Sequence, residues 1–367
     1  MKKILPLAIA AALVAPAAAM ADATVFGKVH MIVQSVDDGS DTVWSTDSVA
    51  SRVGVKGSED LGDGLKAVYH LEFGVNPDAG STVSNRNQFV GLAGGFGTVL
   101  AGRHDTPMKM SQGAFDEFGD LPYGDIETVI PGEDRISNVL AYVSPAFSGL
   151  TIVGAAVAGE GGDSVINGCN DTITTTGGAV ICVDPTYSTA ELTGLADHLS
   201  IAGLYSNGPI FASLAYNVYD TGSLLGSTSY SPSIIRGTVV WNGGNWQVGG
   251  IASNMNTDDI PGTDDSTAYG VSGHFMVTPN DKIKGQFLTG DAPVFSIGAL
   301  GFSPGVKISL ADPDPAVDGP AVDQWSIGYE HSFSKRTYVH VGYTSQSVDL
   351  PGADDTTAFF GGLVHSF

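Results

Sequence analysis

The chain has 367 residues; 49 are glycine, 43% are apolar, only 15% are charged, and the formal net charge is −23. So acidic a balance argues against nucleic acid as a partner, since phosphate contacts need lysine and arginine, and it predicts a negative field that draws cations into any cavity. No apolar stretch of about 18 residues follows residue 22, so no helix is expected to hold the chain in a membrane.

Met1-Lys2-Lys3 is a short basic start, residues 4–18 are apolar and alanine-rich, and Ala19-Met20-Ala21 fits the small-x-small cleavage rule. Residues 1–21 therefore read as a secretory signal peptide, leaving 22–367 as one exported domain with a formal charge of −25 once Lys2 and Lys3 are gone. Such a domain is either soluble outside the inner membrane or spans a membrane as β-strands.

Period-two alternation, the signature of half-buried strands, begins at once. Val25, Val29, Met31 and Val33 oppose Lys28, His30 and Gln34; then Leu65, Ala67, Tyr69, Leu71 and Phe73 oppose Lys66, His70 and Glu72. Further on, Ile235, Val239 and Trp241 oppose Arg236 and Thr238, Tyr269, Val271 and Phe275 oppose Ser272 and His274, and Trp325, Ile327 and Tyr329 oppose Gln324, Ser326 and Glu330. The closing segment carries Phe359, Leu363 and Phe367 on one face. Seven short connections rich in Gly, Asn or Pro fall at 58–64, 94–97, 144–149, 206–209, 242–245, 278–281 and 332–336. Eight longer acidic ones fall near 36–50, 74–87, 104–137, 159–197, 219–233, 252–267, 289–322 and 347–356. Seven short turns and eight long loops join sixteen strands, the pattern of an all-β, antiparallel transmembrane β-barrel with short turns on one side. Trp241, Trp246, Tyr329, Phe333, Tyr338 and Phe367 lie beside the short turns, where an interfacial girdle belongs. A barrel of this size encloses an aqueous channel.

Cys169 and Cys182 are the only cysteines, and in an exported chain an even count favours a disulfide over a metal site. A bridge would staple the Thr- and Gly-rich stretch between them.

Ser51-Arg52-Val53-Gly54-Val55-Lys56-Gly57-Ser58-Glu59-Asp60-Leu61-Gly62-Asp63-Gly64-Leu65-Lys66-Ala67 resembles the second-strand, turn and third-strand signature of Gram-negative general porins of the proteobacterial type. Phe89 to Arg103, followed by Thr106-Pro107, resembles their fourth and fifth strands entering loop 3, and Gly362 to Phe367 resembles their closing strand. The resemblance covers the first third and the end of the chain. It implies a homotrimer of sixteen-stranded barrels in the outer membrane, in contact with lipid and lipopolysaccharide, each with loop 3 folded inward. It also implies that Phe367 is read by the assembly machinery.

Segment 104–137 then inherits the constriction, and Asp116-Glu117-Phe118-Gly119-Asp120 is similar to the acidic loop-3 motif of enterobacterial porins. The expected constriction acids are Asp105, Asp116, Glu117, Asp120, Asp125 and Glu127, facing wall cations Lys28, Arg52, Lys56, Lys66 and Arg103. Carboxylates opposite a row of cations give a transverse field at the narrowest point. Wall positions where relatives often carry arginine read Leu100, Ala141, Val364 and Ser366, which with the net charge points to a cation-preferring, passive pore for ions and small hydrophilic solutes.

A substrate-selective channel, for example for oligosaccharides, would need an aromatic slide, and alternation places only Phe26, Tyr338 and Phe360 on the lumen side. The eight histidines fall in no triad spacing, so the chain is not read as an enzyme. Acid pairs such as Asp258-Asp259 and Asp264-Asp265 lack calcium-loop spacing, and neither a metal nor a cofactor is expected.

Overall fold

Alternating sequence becomes strand almost throughout. The computed structural model describes residues 23–80, 83–159, 194–219, 231–257, 265–291, 321–349 and 354–367, together with the backbone of 163–174 and 180–190. The expected signal peptide lies outside these residues. In chain order the strands are β1 (Thr24–Asp37), β2 (Thr42–Ser48), β3 (Arg52–Gly62), β4 (Leu65–Val75), β5 (Val83–Gly94) and β6 (Gly97–Asp105). A single helical turn, α1 (Pro107–Met110), and a 3-10 turn (Ile126–Thr128) precede β7 (Arg135–Val143), β8 (Leu150–Val157), β9 (Asp163–Thr174) and β10 (Val180–Ala190). Then follow β11 (His198–Asn207), β12 (Ile210–Tyr219), β13 (Ser233–Asn242), β14 (Trp246–Asn256) and β15 (Ser266–Met276). The last are β16 (Asp281–Asp291), β17 (Ala321–Ser332), β18 (Thr337–Val348) and β19 (Thr356–Ser366).

Each strand pairs antiparallel with its neighbours, and the sheet closes where β1 meets β19, with Lys28 opposite Ser366 and Asp37 opposite Thr357. Phe367 and Gly27 exchange both backbone hydrogen bonds at 3.0 Å, so the ladder runs to the final residue. β2 and β3 are two halves of one barrel strand: β1 pairs with β3 through Lys28 and with β2 from Met31. The break between them is pinned by the Ser51 hydroxyl, which accepts the His30 N–H at 2.9 Å. β8 pairs with β11, and β9 with β10 forms a separate two-stranded sheet. The barrel therefore has sixteen strands.

The short turns stand where the sequence placed them. Asp63 and Gly64 adopt φ of 51° and 78°, the two left-handed residues that a tight hairpin turn requires. Several long loops are shorter than their composition suggests. β1 and β2 extend into 36–50 because the Asp38 carboxylate accepts the N–H groups of Ser40 and Asp41 and tightens the reversal. Segment 159–197 is not a plain loop: its β-branched residues, such as Val165, Ile166, Val180 and Ile181, support the β9–β10 hairpin. In its register Cys182 lies opposite Thr172 and Cys169 opposite Pro185. The side chains there, and with them the expected disulfide, lie outside the described residues.

The two faces of the sheet differ as a membrane barrel demands. Val90, Leu214 and Val239 are 61%, 61% and 58% exposed on the outer face. The inner face buries polar groups, among them His30, Gln34, Arg236, Gln324 and His340. Trp241, Trp246, Tyr329, Phe333 and Phe367 are exposed beside the short turns, joined by Phe96, Phe147 and Phe275. Tyr338 does not belong to that girdle. It stands opposite the buried Val364, 6.1 Å from the His340 ring, and faces inward.

His340 on β18 reaches across β19 to His30 on β1, with 2.8 Å between their Nε2 atoms. Gly362 lies under this bridge, and a Cβ there would stand 2.5 Å from His340 Nε2 and 2.8 Å from both Ile32 Cγ2 and the Met31 carbonyl. Gly362→Val is expected to destabilise the barrel by about 1–3 kcal/mol through overpacking. Gly154→Ala, at a position with nothing within 4 Å, should be close to neutral. Unfolding midpoints in urea, read by heat-modifiable gel mobility, check the pair; equal midpoints would contradict the packing argument.

Candidate functional site

Between β6 and β7 the chain leaves the sheet, and its start is fixed locally. Thr106 caps α1, its hydroxyl accepting the Lys109 N–H at 3.1 Å, and Pro107 begins the turn, where its missing N–H costs nothing. Asp125 caps the 3-10 turn by accepting the Glu127 N–H at 2.9 Å.

The segment is bonded to the buried face of strands distant in sequence. Ser200 on β11 accepts the Met108 N–H (3.2 Å), and Ser213 on β12 donates to the Ser111 carbonyl (2.6 Å). Gln286 on β16 donates to the Gly124 carbonyl (2.8 Å), Thr128 donates to Gln324 on β17 (2.7 Å), and Thr344 on β18 donates to the Tyr123 carbonyl (3.1 Å). Apolar side chains follow the same route. Met108 packs with Val153, Ala202 and Ile234, Phe115 with Val240, Ile251 and Leu288, and Phe118 with Ile32 and Phe360.

Arg236 on β13 is completely buried and holds both ends of the segment. It pairs with Glu133 at 2.5 Å and donates to the carbonyls of Pro131 and Met108. Glu133 also accepts from Gln112 at 2.8 Å.

The sequence-expected acids divide by environment. Asp120 meets the wall cations directly, with Lys28 at 2.6 Å and Arg52 at 3.7 Å. Burial alone would raise its carboxyl, but these cations outweigh it and bring the value down to about 2. Asp105 pairs with Arg135 at 2.8 Å and accepts from Asn87 at 2.9 Å.

Asp116 and Glu117 do not sit on a free surface. Asp116 accepts the N–H groups of Phe118 (2.9 Å) and Ile126 (3.3 Å), and burial raises its carboxyl well above the ordinary range. Glu117 accepts from His274 (2.5 Å) and Gln247 (3.0 Å) on the wall, while its carbonyl accepts from Lys284 (2.5 Å). Both carboxylates brace the segment.

Asp125 and Glu127 are left without a cation within ion-pair distance among the described residues. Burial lifts Asp125 to about 6. Glu127 is exposed by area yet crowded by protein, and that desolvation together with the Asp125 charge lifts it to about 7.

Among the expected cations, Lys28 and Arg52 join the site, and Lys56 lies 5.1 Å over the Phe26 ring. Lys66 shares their face but sits near the Asp63-Gly64 turn, opposite Asp60. Arg103 is a correction. It stands opposite Gln88, which stands opposite Leu71, and residues paired across strands share a face. Leu71 is 46% exposed on the outside, so Arg103 points outward, donating to the Asn85 carbonyl and the Ser137 hydroxyl. Alternation from the buried Leu100 carries the same information.

Sequence reasoning missed Glu72 as a hub, with Arg86 at 2.6 Å, His70 at 3.2 Å and Arg52 at 3.4 Å. It also missed Arg86 and Asn87, which lay inside an expected loop, and gave Arg135 only as a counter-charge to the loop acids without its pairing to Asp105. For Arg236 a signal existed: a lone arginine on the polar face of an otherwise uncharged strand.

The family model for the Gram-negative porins matches residues 8–349. A major outer membrane protein P.IB of Neisseria gonorrhoeae is 45% identical over 104 residues, 26% of this chain and 30% of that protein. Another P.IB from the same species is 38% identical over 150 residues, 37% of this chain and 43% of that protein. The chain thus spans less than half the length of these curated relatives. Among solved structures, the anion-selective porin of Comamonas acidovorans superposes with a TM-score of 0.67 at 21% identity, covering 95% of this chain and 100% of that one. The trimer form of OmpT from Vibrio cholerae superposes with a TM-score of 0.62 at 13% identity, covering 94% and 99%.

Replacing Arg236 with Met should destabilise the protein by about 3–5 kcal/mol, because the buried Glu133 loses its close partner and keeps only Lys109 at 3.6 Å. The double variant Arg236→Met with Glu133→Gln should recover much of that loss. Urea midpoints of the two variants check this; a double variant no better than the single one would mean the ion pair is not what Arg236 supplies.

Proposed function

The chain belongs to the Gram-negative porin family, a β-barrel family of the outer membrane, and from that membership we propose that it forms a water-filled pore for passive diffusion of ions and small hydrophilic solutes. The segment between β6 and β7 folds inward and narrows the lumen. The observation that carries this reading is the bonding of that segment to buried-face residues from β1 around to β18, with Lys28–Asp120 at 2.6 Å on one side and Thr128–Gln324 at 2.7 Å on another. A segment tied to so many inner faces stands in the path of anything passing through.

The narrowed passage has a basic wall, from Lys28, Arg52, Arg86 and Arg135, and an acidic edge at Asp125 and Glu127. Such a field orients permeating dipoles and separates the tracks of cations and anions. The pore prefers cations, because the acids on the segment that keep a free charge add to the chain's overall negative potential. The protein works as a homotrimer, in contact with lipid and lipopolysaccharide; the Vibrio cholerae trimer of the same fold supports the self-association. Export through residues 1–21, delivery by the assembly machinery that reads Phe367, and a Cys169–Cys182 bridge belong to the same reading.

In mild detergent the protein should migrate as a trimer that heat converts to monomer; a monomer at every temperature would contradict the assembly. For selectivity, reversal potential in a KCl gradient is the measurement. A carboxyl with a raised value is charged above it and neutral below, so cation preference should be full near about pH 8. It should then decline as pH falls through about 7 and about 6, where Glu127 and Asp125 take up protons. Glu127→Gln should show the reduced preference already at the higher pH, while Asp354→Asn with Asp355→Asn should change it little. A chloride preference, or a reversal potential indifferent to pH, would overturn the assignment.

A further inference from the structure

The inner wall from β1 to β6 carries a row of rings. Phe26 lies 5.1 Å from His70, His70 is stacked 5.4 Å from Phe89, and Phe89 lies 5.1 Å from His104, measured between centroids. Phe26 spans β3 to reach His70 because Gly54 lies beneath it; a Cβ at Gly54 would stand 2.5 Å from the Phe26 Cζ. At its Phe26 end the row meets a recess of about 420 Å³ that Phe26 shares with Lys28, Arg52, Glu72, Arg86 and Arg135.

The recess has a charge opposite to that of the whole chain. Lys28, Arg52, Arg86 and Arg135 stand against Glu72 and Asp105, and still outnumber the acids when Asp120, which holds Lys28, is included. Arg86 and Arg135 are engaged at 2.6 and 2.8 Å. Arg52 is held more loosely: it is ion-paired with Glu72 at 3.4 Å and Asp120 at 3.7 Å, both longer than the roughly 2.7–2.9 Å of a charge-assisted hydrogen bond. Its planar fork of donors can therefore exchange these long contacts for a carboxylate held through two parallel bonds.

We propose that this recess binds aromatic carboxylates, with the carboxylate on Arg52 and the ligand ring against the edge of Phe26 that borders the recess, Lys56 already standing over the Phe26 face. The inference rests on the pore reading and adds a ligand class to it. Each half of such a ligand finds one partner. An aliphatic carboxylate has only the ion pair, which is weak where water has access. An aromatic cation keeps the ring contact but meets the positive excess. The aromatic carboxylate gains an edge-to-face ring contact as well.

The test is single-channel recording of the purified full-length protein in planar bilayers at constant ionic strength. Benzoate should reduce or transiently block the current at concentrations at least tenfold below those at which acetate does, and benzylammonium should not block in that range. Arg52→Gln and Phe26→Leu, each checked for heat-modifiable folding, should raise the half-blocking benzoate concentration at least fivefold. Equal action of benzoate and acetate, or block unchanged in both variants, would overturn the site while leaving a conducting pore. Absence of any conductance would instead strike at the pore reading itself.

Discussion

Closure of the hydrogen-bond ladder is the constraint on which the rest of this structure depends. Lipid offers backbone N–H and C=O groups no partner, so a sheet within it must have no edge. That requirement is met where β1 meets β19 over ten residue pairs and where Phe367 and Gly27 complete the seam. Once the ladder is closed, side chains are released from holding the fold along the barrel axis. The inner face can then carry His30, Gln34, Arg236 and Gln324, residues that a soluble core of this size would seldom bury.

The same freedom explains how the segment after β6 is held. It has little regular structure of its own, one helical turn and one 3-10 turn, and instead borrows order from the wall. Phe115 and Phe118 are completely buried between segment and sheet, and Glu117 and Glu133 each receive charged or polar donors from distant strands. An acidic residue in such a segment is therefore as much a fastener as a source of field. Net charge of the chain does not by itself describe what a solute meets there: Asp116 and Glu117 face protein, Lys28, Arg52 and Arg86 converge on one wall, and the acidic edge is left to Asp125 and Glu127.

Much of this was legible in the sequence. The turn chemistry at Asp63-Gly64, Gly94-Gly95 and Asn207-Gly208 fixes strand ends, and the period-two rows fix which side of β4 or β13 faces inward. The strand count follows from those signals alone. What was not legible is long-range pairing of charges. Nothing near Glu133 in sequence announces Arg236, more than a hundred residues on, whereas Asp120 facing Lys28 and Arg52 was expected, but only through the family resemblance. Arg86 and Asn87 were obscured because polar composition reads as loop, whereas β5 begins at Val83. Arg103 shows the opposite failure: its charge suggested the lumen, while the parity counted from Leu100 already turned it outward.

The β9–β10 hairpin has a consequence for how such a protein can change over time. Its backbone joins no strand of the barrel sheet, so its length and sequence are decoupled from the ladder that keeps the chain in the membrane. Substitutions or insertions there leave the seam, the clamp at Arg236 and the ring row untouched. A lineage could rewrite this hairpin repeatedly while inheriting the barrel unchanged, and a designer could insert a foreign segment at the same place.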